Sequence, residues 1–260
     1  MYFAAWVGDA ILDEMRGFNV IKPLFRHEGR HPSLVHNFPI QDDPGIATSN
    51  QTEGTAFTET VLATSSQTAT ALLNGQVATV TDVLDAVSMV DAVSHFAQVL
   101  GRSCAEEVTF TCGAAFASST GAWSAASLAG FYNAMADLEA ADATGQFVAV
   151  VLPAALATMR TDLTTATTVS FAGNPANPTL GLASNFPNGY VGNIAGVDTY
   201  LTSLAGTNAM FVKNVSFGFY EVWDTRIETH RDTFQPGTQI AATTCYGVAC
   251  IRAAWSSDVA

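Results

Sequence analysis

Val83-Leu84-Asp85-Ala86-Val87-Ser88-Met89-Val90-Asp91-Ala92-Val93-Ser94-His95-Phe96-Ala97-Gln98-Val99-Leu100 is where this chain changes its period. Val83, Val87, Val90, Val93, Ala97 and Leu100 recur at three and four residues, the spacing of one helix face, with Met89 and Phe96 beside the stripe. Asp82 stands where an N-cap belongs, and Asp85 puts negative charge in the first turn, where the helix dipole favours it. Gly101 weakens the helix, but Arg102 to Thr111 carries it on to Cys112-Gly113. A helix of about 30 residues would measure about 45 Å, long enough to serve as a strut.

Upstream of the strut the signals are those of strands. Leu34-Val35-His36-Asn37-Phe38-Pro39-Ile40 reads as one extended piece, held to an edge or an end by Pro39. Thr55 to Thr81 is rich in Thr, Val and Ala. Within it Asn74-Gly75, between Leu72-Leu73 and Val77, carries a tight-turn signal. The stretch predicts a long hairpin that projects from the body and packs on a neighbour, because a free hairpin is marginal in water. Residues 1–32 hold the basic cluster Arg16, Lys22, Arg26, His27, Arg30 and His31, with Ala10, Ile11, Met15 and Phe18 allowing a short helix. They read as an arm lying on another surface.

Downstream an α/β segment follows. Ser124 is expected to cap a helix with Leu128, Phe131, Met135 and Leu138 on one face. Phe147-Val148-Ala149-Val150-Val151-Leu152 is a continuous apolar run, the mark of a strand buried on both faces. Pro153 fits the first position of the next helix, with Leu156, Met159 and Leu163 inward. Residues 164–179, with Asn174-Pro175-Ala176-Asn177-Pro178, read as a loop. Short strands are expected between Tyr190 and Leu204. Two long ones follow, near Ser216–Thr229 and Gln239–Ala254, joined through Pro236-Gly237.

Composition sets the function classes. Charged residues are 13% of the 260, about half the usual share, and hydrophobic ones 48%. A chain this short of charge is expected to hide surface against copies of itself. Its net charge is −13 with two lysines, Lys22 and Lys213, which argues against gripping nucleic acid through phosphates. No apolar run approaches a membrane span, and the opening lacks a basic signal-peptide start, so no membrane association and intracellular manufacture are expected.

No catalytic, cofactor-binding or metal residues emerge. The motifs of nucleophile elbows, phosphate loops, dinucleotide folds and zincins are absent. Cys104, Cys112, Cys245 and Cys250 lack CxxC spacing and read as small buried hydrophobes. His27, His31 and His36 are close in sequence, but Pro32 disfavours the helix that would align them. Glu106-Glu107 diverge by about 100° on a helix and cannot act as a pair. Asp224, Arg226, Glu228, His230, Arg231 and Asp232 alternate in charge, reading either as inter-subunit salt bridges or as a solvated edge that blocks stray pairing. Trp6, Trp123, Trp223 and Trp255 are core residues or inter-subunit anchors.

In this order the elements resemble the major capsid proteins of tailed double-stranded DNA bacteriophages, the Hong Kong 97-like fold. Asn19-Val20-Ile21-Lys22-Pro23-Leu24 and Asn37-Phe38-Pro39 resemble its N-terminal arm. Glu53-Gly54 with Val80-Thr81-Asp82 resembles the hairpin entering the spine, and Phe147 to Pro153 the central strand and helix start. Gly192-Asn193-Ile194-Ala195-Gly196-Val197-Asp198-Thr199-Tyr200 resembles the family's G-x-I-x-G-V-x-V-Y segment, and Cys245-Tyr246-Gly247-Val248-Ala249 its late Y-G-x-A strand. The resemblance implies an α+β capsid fold divided into five parts. These are an N-terminal arm (1–32), an extended β-hairpin loop (33–81), and the long spine helix with the start of the peripheral domain (82–118). A central, axial α/β domain (119–212) and returning strands (213–260) complete it.

It further implies a structural subunit that self-assembles as hexamers and pentamers into an icosahedral shell around DNA, located in the virion and built in the host cytoplasm. No enzyme activity or cofactor goes with that. A portal and decoration proteins are the expected partners, and the short stretch before the arm suggests a separate scaffolding protein. Some family members lock the shell by an isopeptide bond from a hairpin lysine. Residues 33–81 contain no lysine, so a noncovalent shell is expected. The alternatives are an encapsulin-type compartment shell and, from another class, a small α/β hydrolase built around residues 124–163.

Overall fold

A computed structural model of the chain describes residues 19–29, 32–41, 64–87, 92–123, 126–165, 189–232 and 236–258, and the structural statements below concern these. The expected helix around Met15 and Phe18, the placements of Trp6, His31 and Glu53-Gly54, and the loop beyond residue 165 lie outside them, as do the side chains of Val90, Val93 and Leu163; Thr164 and Thr165, expected in that loop, end a helix instead.

Two sheets and one ribbon carry the architecture. The first sheet is built on a long antiparallel pair, β10 (Phe217–Asp232) and β11 (Gly237–Cys250). β1 (Arg26–Glu28) lies parallel to the start of β10, and β4 (Leu72–Thr81) lies antiparallel to β11, giving the order β1-β10-β11-β4. The second sheet combines β5 (Gly121–Ala122), β6 (Phe147–Val151) and β7 (Tyr190–Ile194) with β8 (Val197–Leu201), β9 (Ala209–Val212) and β12 (Ser256–Asp258). Its order is β5-β12-β9-β6-β8-β7. The ribbon pairs β2 (Val35–Gln41) with β3 (Thr64–Thr70).

The apolar run 147–151 behaves as its composition demands. Val148 and Val150 enter a core with Phe25, Phe116, Phe211 and Phe217, while Ala149 and Val151 enter a second core on the opposite face. That second core is roofed by α3 (Leu128–Ala140) and α4 (Pro153–Thr165), through Phe131, Leu138, Leu156 and Met159. Pro153 does open α4. The cap of α3 is Ser127, whose hydroxyl accepts from the Gly130 amide at 3.2 Å, and not Ser124. A cap stands two or three residues before the amide it satisfies, just ahead of the first helical residue, and α3 begins at Leu128.

In place of one helix of about 30 residues the described residues give two, α1 (Asp82–Val87) and α2 (Ala92–Ala114), of 6 and 23 residues. The buried stripe of α2 is Ala97, Leu100, Cys104, Ala105, Val108 and Cys112. Its first half packs on Val80, Ile240 and Ala242 of the long sheet and its second half on Phe25, Phe116 and Phe211, so one helix joins two cores. Val83 and Val87 depart from the expected stripe, being 72% and 77% exposed. A 3.6-residue period marks an apolar face without saying what covers it.

Two further expectations give way. Asn74-Gly75 is not a turn: both residues lie inside β4, opposite Thr244 and Thr243, in a register unbroken from Leu72 to Thr81. Glycine serves there for close approach, since a Cβ on Gly75 would lie 2.7 Å from the Ala242 carbonyl oxygen. The ribbon is instead formed by 35–41 and 64–70, and its base packs on its own subunit. Phe38 and Ala69 are buried with Tyr220 and Cys245, the Phe38 ring filling the space a Cβ on Gly218 would need.

The described part of residues 1–32 likewise lies on the chain's own body. Ile21, Leu24 and Phe25 are at most 2% exposed, and Phe25 stacks on Phe217 at 5.1 Å between centroids. Burying three such side chains supplies about 1.5–3 kcal/mol each, more than an arm lying on another surface would leave unused.

The turn between β7 and β8 uses Ala195 at φ 53° and Gly196 at φ 90°, the doubly positive pair of a tight hairpin. Alanine in that region costs about 1 kcal/mol. Ala195→Gly is therefore expected to stabilise the subunit by about 0.5–1 kcal/mol, read as a higher urea midpoint with unchanged slope. A fall in midpoint would contradict the turn assignment.

Candidate assembly surfaces

Among the described residues, no group of three His, Cys, Asp or Glu side chains gathers as metal ligands would. No described helix is long and apolar enough to cross a membrane. His27 and His36 lie on different elements and both stack on β10: His27 on Phe219 at 5.7 Å, His36 on Tyr220 at 4.8 Å. Glu106 is half-buried, while the exposed Glu107 accepts from Thr111 one helical turn away at 3.3 Å.

Among the described residues the most buried carboxylate is Glu221, 8% exposed. The Lys22 ammonium pairs with its Oε1, and His27 Nε2 stands 3.3 Å from Oε2. Lys22 also lies over the Phe219 ring at 5.0 Å. Lys22 and His27 both come from the segment 21–28, so these contacts fasten that segment to β10 where Phe25 already anchors it. A buried carboxylate kept beside a lysine is a structural clamp, since removing the lysine leaves an unpaired charge.

All four cysteines are free thiols. Burial raises the pKa of Cys104, Cys112 and Cys245, and pushes Cys250 up to about 11. Thiolate, the reactive form, is correspondingly scarce at pH 8. The folded protein is expected to react with a thiol reagent such as DTNB at least tenfold more slowly at pH 8 than the urea-unfolded chain. Stoichiometric labelling within the mixing time would contradict this packing.

Of the tryptophans, Trp123 is core, 1% exposed and edge-on to Phe131. Arg226 stacks on Trp223 at 4.5 Å and Arg252 on Trp255 at 4.3 Å. In the alternating-charge tract, Arg231 bonds Asp82 of its own chain at 2.8 Å. Both are exposed, so the pair contributes well under 1 kcal/mol.

What stands out chemically is exposed aliphatic surface beside an open sheet edge. Leu34, Val35, Leu72, Leu73 and Val77 are 49–65% exposed. The Ala71 amide bonds the Leu34 carbonyl at 2.7 Å, which brings the start of the ribbon beside the start of β4. The sequence offered Leu72, Leu73 and Val77 only as flanks of a supposed turn, and Leu34 and Val35 as the start of an extended piece. Their one legible signal was aliphatic residues in a tract without charge. Phe110 and Val99 add exposed apolar positions on α2, and Val83 and Val87 on α1. No described strand lies beyond β4 in its sheet. Patches of a few hundred Å² of apolar surface mark interaction sites on soluble chains. This geometry can bind another polypeptide, and it holds no array of groups for moving protons or polarising a substrate.

No family model matches the chain, and no curated protein matches it in sequence. Solved structures do match. One of Mycobacterium phage Che8 superposes with a TM-score of 0.65 at 13% identity, over 87% of this chain and 84% of that one. The capsid structure of the cyanophage P-SCSP1u gives 0.64 at 15% identity, over 93% and 87%. A virus-like particle from Pyrococcus furiosus gives 0.61 at 11% identity, over 98% of both chains. The chain therefore has the α+β fold of phage capsid structures, as the order of its elements anticipated.

Proposed function

We propose that the chain is the major capsid protein of a tailed double-stranded DNA phage, a structural subunit and not an enzyme. The observation that carries this is the extent of the fold likeness, which spans more than four-fifths of both chains for the phage structures above. The exposed aliphatic edge and the low charge support it. They are what a subunit needs if most of its surface is to meet copies of itself.

In this reading, subunits form hexamers and pentamers of an icosahedral shell. The ribbon of β2 and β3 lies against a neighbour, the spine and long sheet form the peripheral domain, and residues 119–212 form the central domain. DNA is enclosed without sequence-specific grip, consistent with a net charge of −13. A scaffolding protein, a portal and decoration proteins are the further partners, with assembly in the host cytoplasm and residence in the virion. Negative-stain microscopy of the expressed chain, alone and with lysate from infected cells, tests it. Closed shells or regular capsomers are expected, and a small particle that never assembles would overturn it. Shells boiled in SDS are expected to run as a single monomer band, because residues 33–81 offer no lysine for a cross-link. A ladder of covalent multimers would contradict that.

A second reading, a compartment shell of the encapsulin type, is favoured by the end-to-end likeness to the Pyrococcus furiosus particle. The contents separate the two: nuclease-protected DNA supports the phage shell, and a packaged protein the compartment.

A further inference from the structure

We propose that the ribbon of β2 and β3 is a strap whose outer half opens on its own, and that Arg252 is the positioning residue that holds this half on the body through the Gln41 carbonyl. The inference stands on contacts within one subunit and does not need the self-assembly reading. Where that reading holds, the catch fixes the angle at which the ribbon meets a neighbour.

The two halves of the ribbon are held by different means. In the inner half Phe38 is fully buried with Tyr220 and Cys245, Ala69 is buried beside them, and the Tyr220 hydroxyl donates to the Ser33 carbonyl. Lifting that half would return a phenylalanine to water, so it stays docked. Beyond Phe38 the register runs Pro39 to Ser66, Ile40 to Ser65 and Gln41 to Thr64. Here Thr64 to Gln67 are all exposed, and Ile40 is half-buried against the same core. A cavity of about 380 Å³ opens between β3 and the end of β11, lined by Gln67, Thr68, Ser118, Cys250 and Ala253. At the far end Arg252 Nη2 donates to the Gln41 carbonyl oxygen at 3.0 Å.

The mount of this catch is rigid. Ser216 is fully buried, and its carbonyl accepts from the Ile251 and Arg252 amides at 2.8 and 3.1 Å. Its hydroxyl donates to the Trp255 carbonyl at 2.6 Å. One serine thus fixes the backbone of both Arg252 and Trp255, and the guanidinium lies over the indole at 4.3 Å. A stacked guanidinium is already aimed, so it loses little freedom in taking the carbonyl. A charged donor also makes the stronger kind of hydrogen bond. Its acceptor is exposed, however, so water competes for it, and the bond breaks without opening a core. A two-stranded ribbon parted from its support is marginal in water, so a lifted outer half loosens its own pairing as well. A firm body, a preformed catch and a strap with little stability of its own make an element that opens alone.

Hydrogen–deuterium exchange of dispersed subunits at single-residue resolution tests this. The paired amides among Ile40, Gln41 and Thr64 to Gln67 report the outer half, and Ala69 and β11 serve as internal references. Arg252→Ala is expected to speed exchange in the outer half about tenfold, the factor for losing one hydrogen bond to a charged group, with both references unchanged. Arg252→Lys keeps the charge but loses the planar fork and the stack, and its rates are expected to fall between those of the other two proteins. Outer-half exchange unchanged by Arg252→Ala would show that other contacts hold the ribbon down, and would overturn the proposal. Equal acceleration in the ribbon and in β11 would make Arg252 an ordinary structural residue, and would overturn it too. Neither result bears on the assembly reading, which is decided by the particles.

Discussion

Gly75→Val is expected to destabilise the isolated subunit by about 2 kcal/mol. Valine favours a strand over glycine by up to about 1 kcal/mol, so the sign depends on what its Cβ meets. The new atom would stand 2.7 Å from the Ala242 carbonyl oxygen and 2.9 Å from Thr243 Cγ2. The first of these is backbone in a sheet paired on both sides, which cannot step aside. Forced overpacking of this kind costs about 3 kcal/mol, and the clash outweighs the propensity. Urea unfolding of dispersed subunits measures it, with Gly75→Ala as the companion because it carries the same Cβ. Had Asn74-Gly75 formed a hairpin turn at the end of a projecting loop, the substitution would spare the subunit and spoil only assembly. An unchanged midpoint for the subunit would therefore restore the turn reading.

That contrast shows where the sequence could be read and where it could not. Phe147 to Val151 was legible because five apolar residues in a row admit one explanation at that length, a strand covered on both faces, and the two cores bear this out. Pro153 was legible because proline fits few places in a helix. Asn74-Gly75 was not, because glycine serves both turns and close backbone approach, and only the partner strand decides between them. Val83 and Val87 lie on the right period, yet periodicity cannot tell a subunit's own core from a surface kept for another chain. The candidate site suffered most. An edge is defined by the strand that is missing beside it, so β4 became recognisable only when its sheet order was known.

Phe25→Ala is expected to cost the isolated subunit about 3–5 kcal/mol, the range for emptying a buried phenylalanine site. Its ring meets Phe116, Phe211 and Phe217 at 5.1–6.1 Å between centroids, and all three are themselves fully buried. Small domains are stable by about 5–15 kcal/mol, so the loss consumes about a fifth of that margin or more. Leu34→Ala, at a position 58% exposed, is the control and should stay within about 0.5 kcal/mol. Were residues 21–28 an arm lying on a neighbour, Phe25→Ala would leave the dispersed subunit untouched and weaken only particles. A shift below about 1 kcal/mol in the dispersed subunit would thus detach the segment from the core. The expected loss instead makes the segment, held by Phe25 and by the Glu221 clamp, part of the body around which any assembly is built.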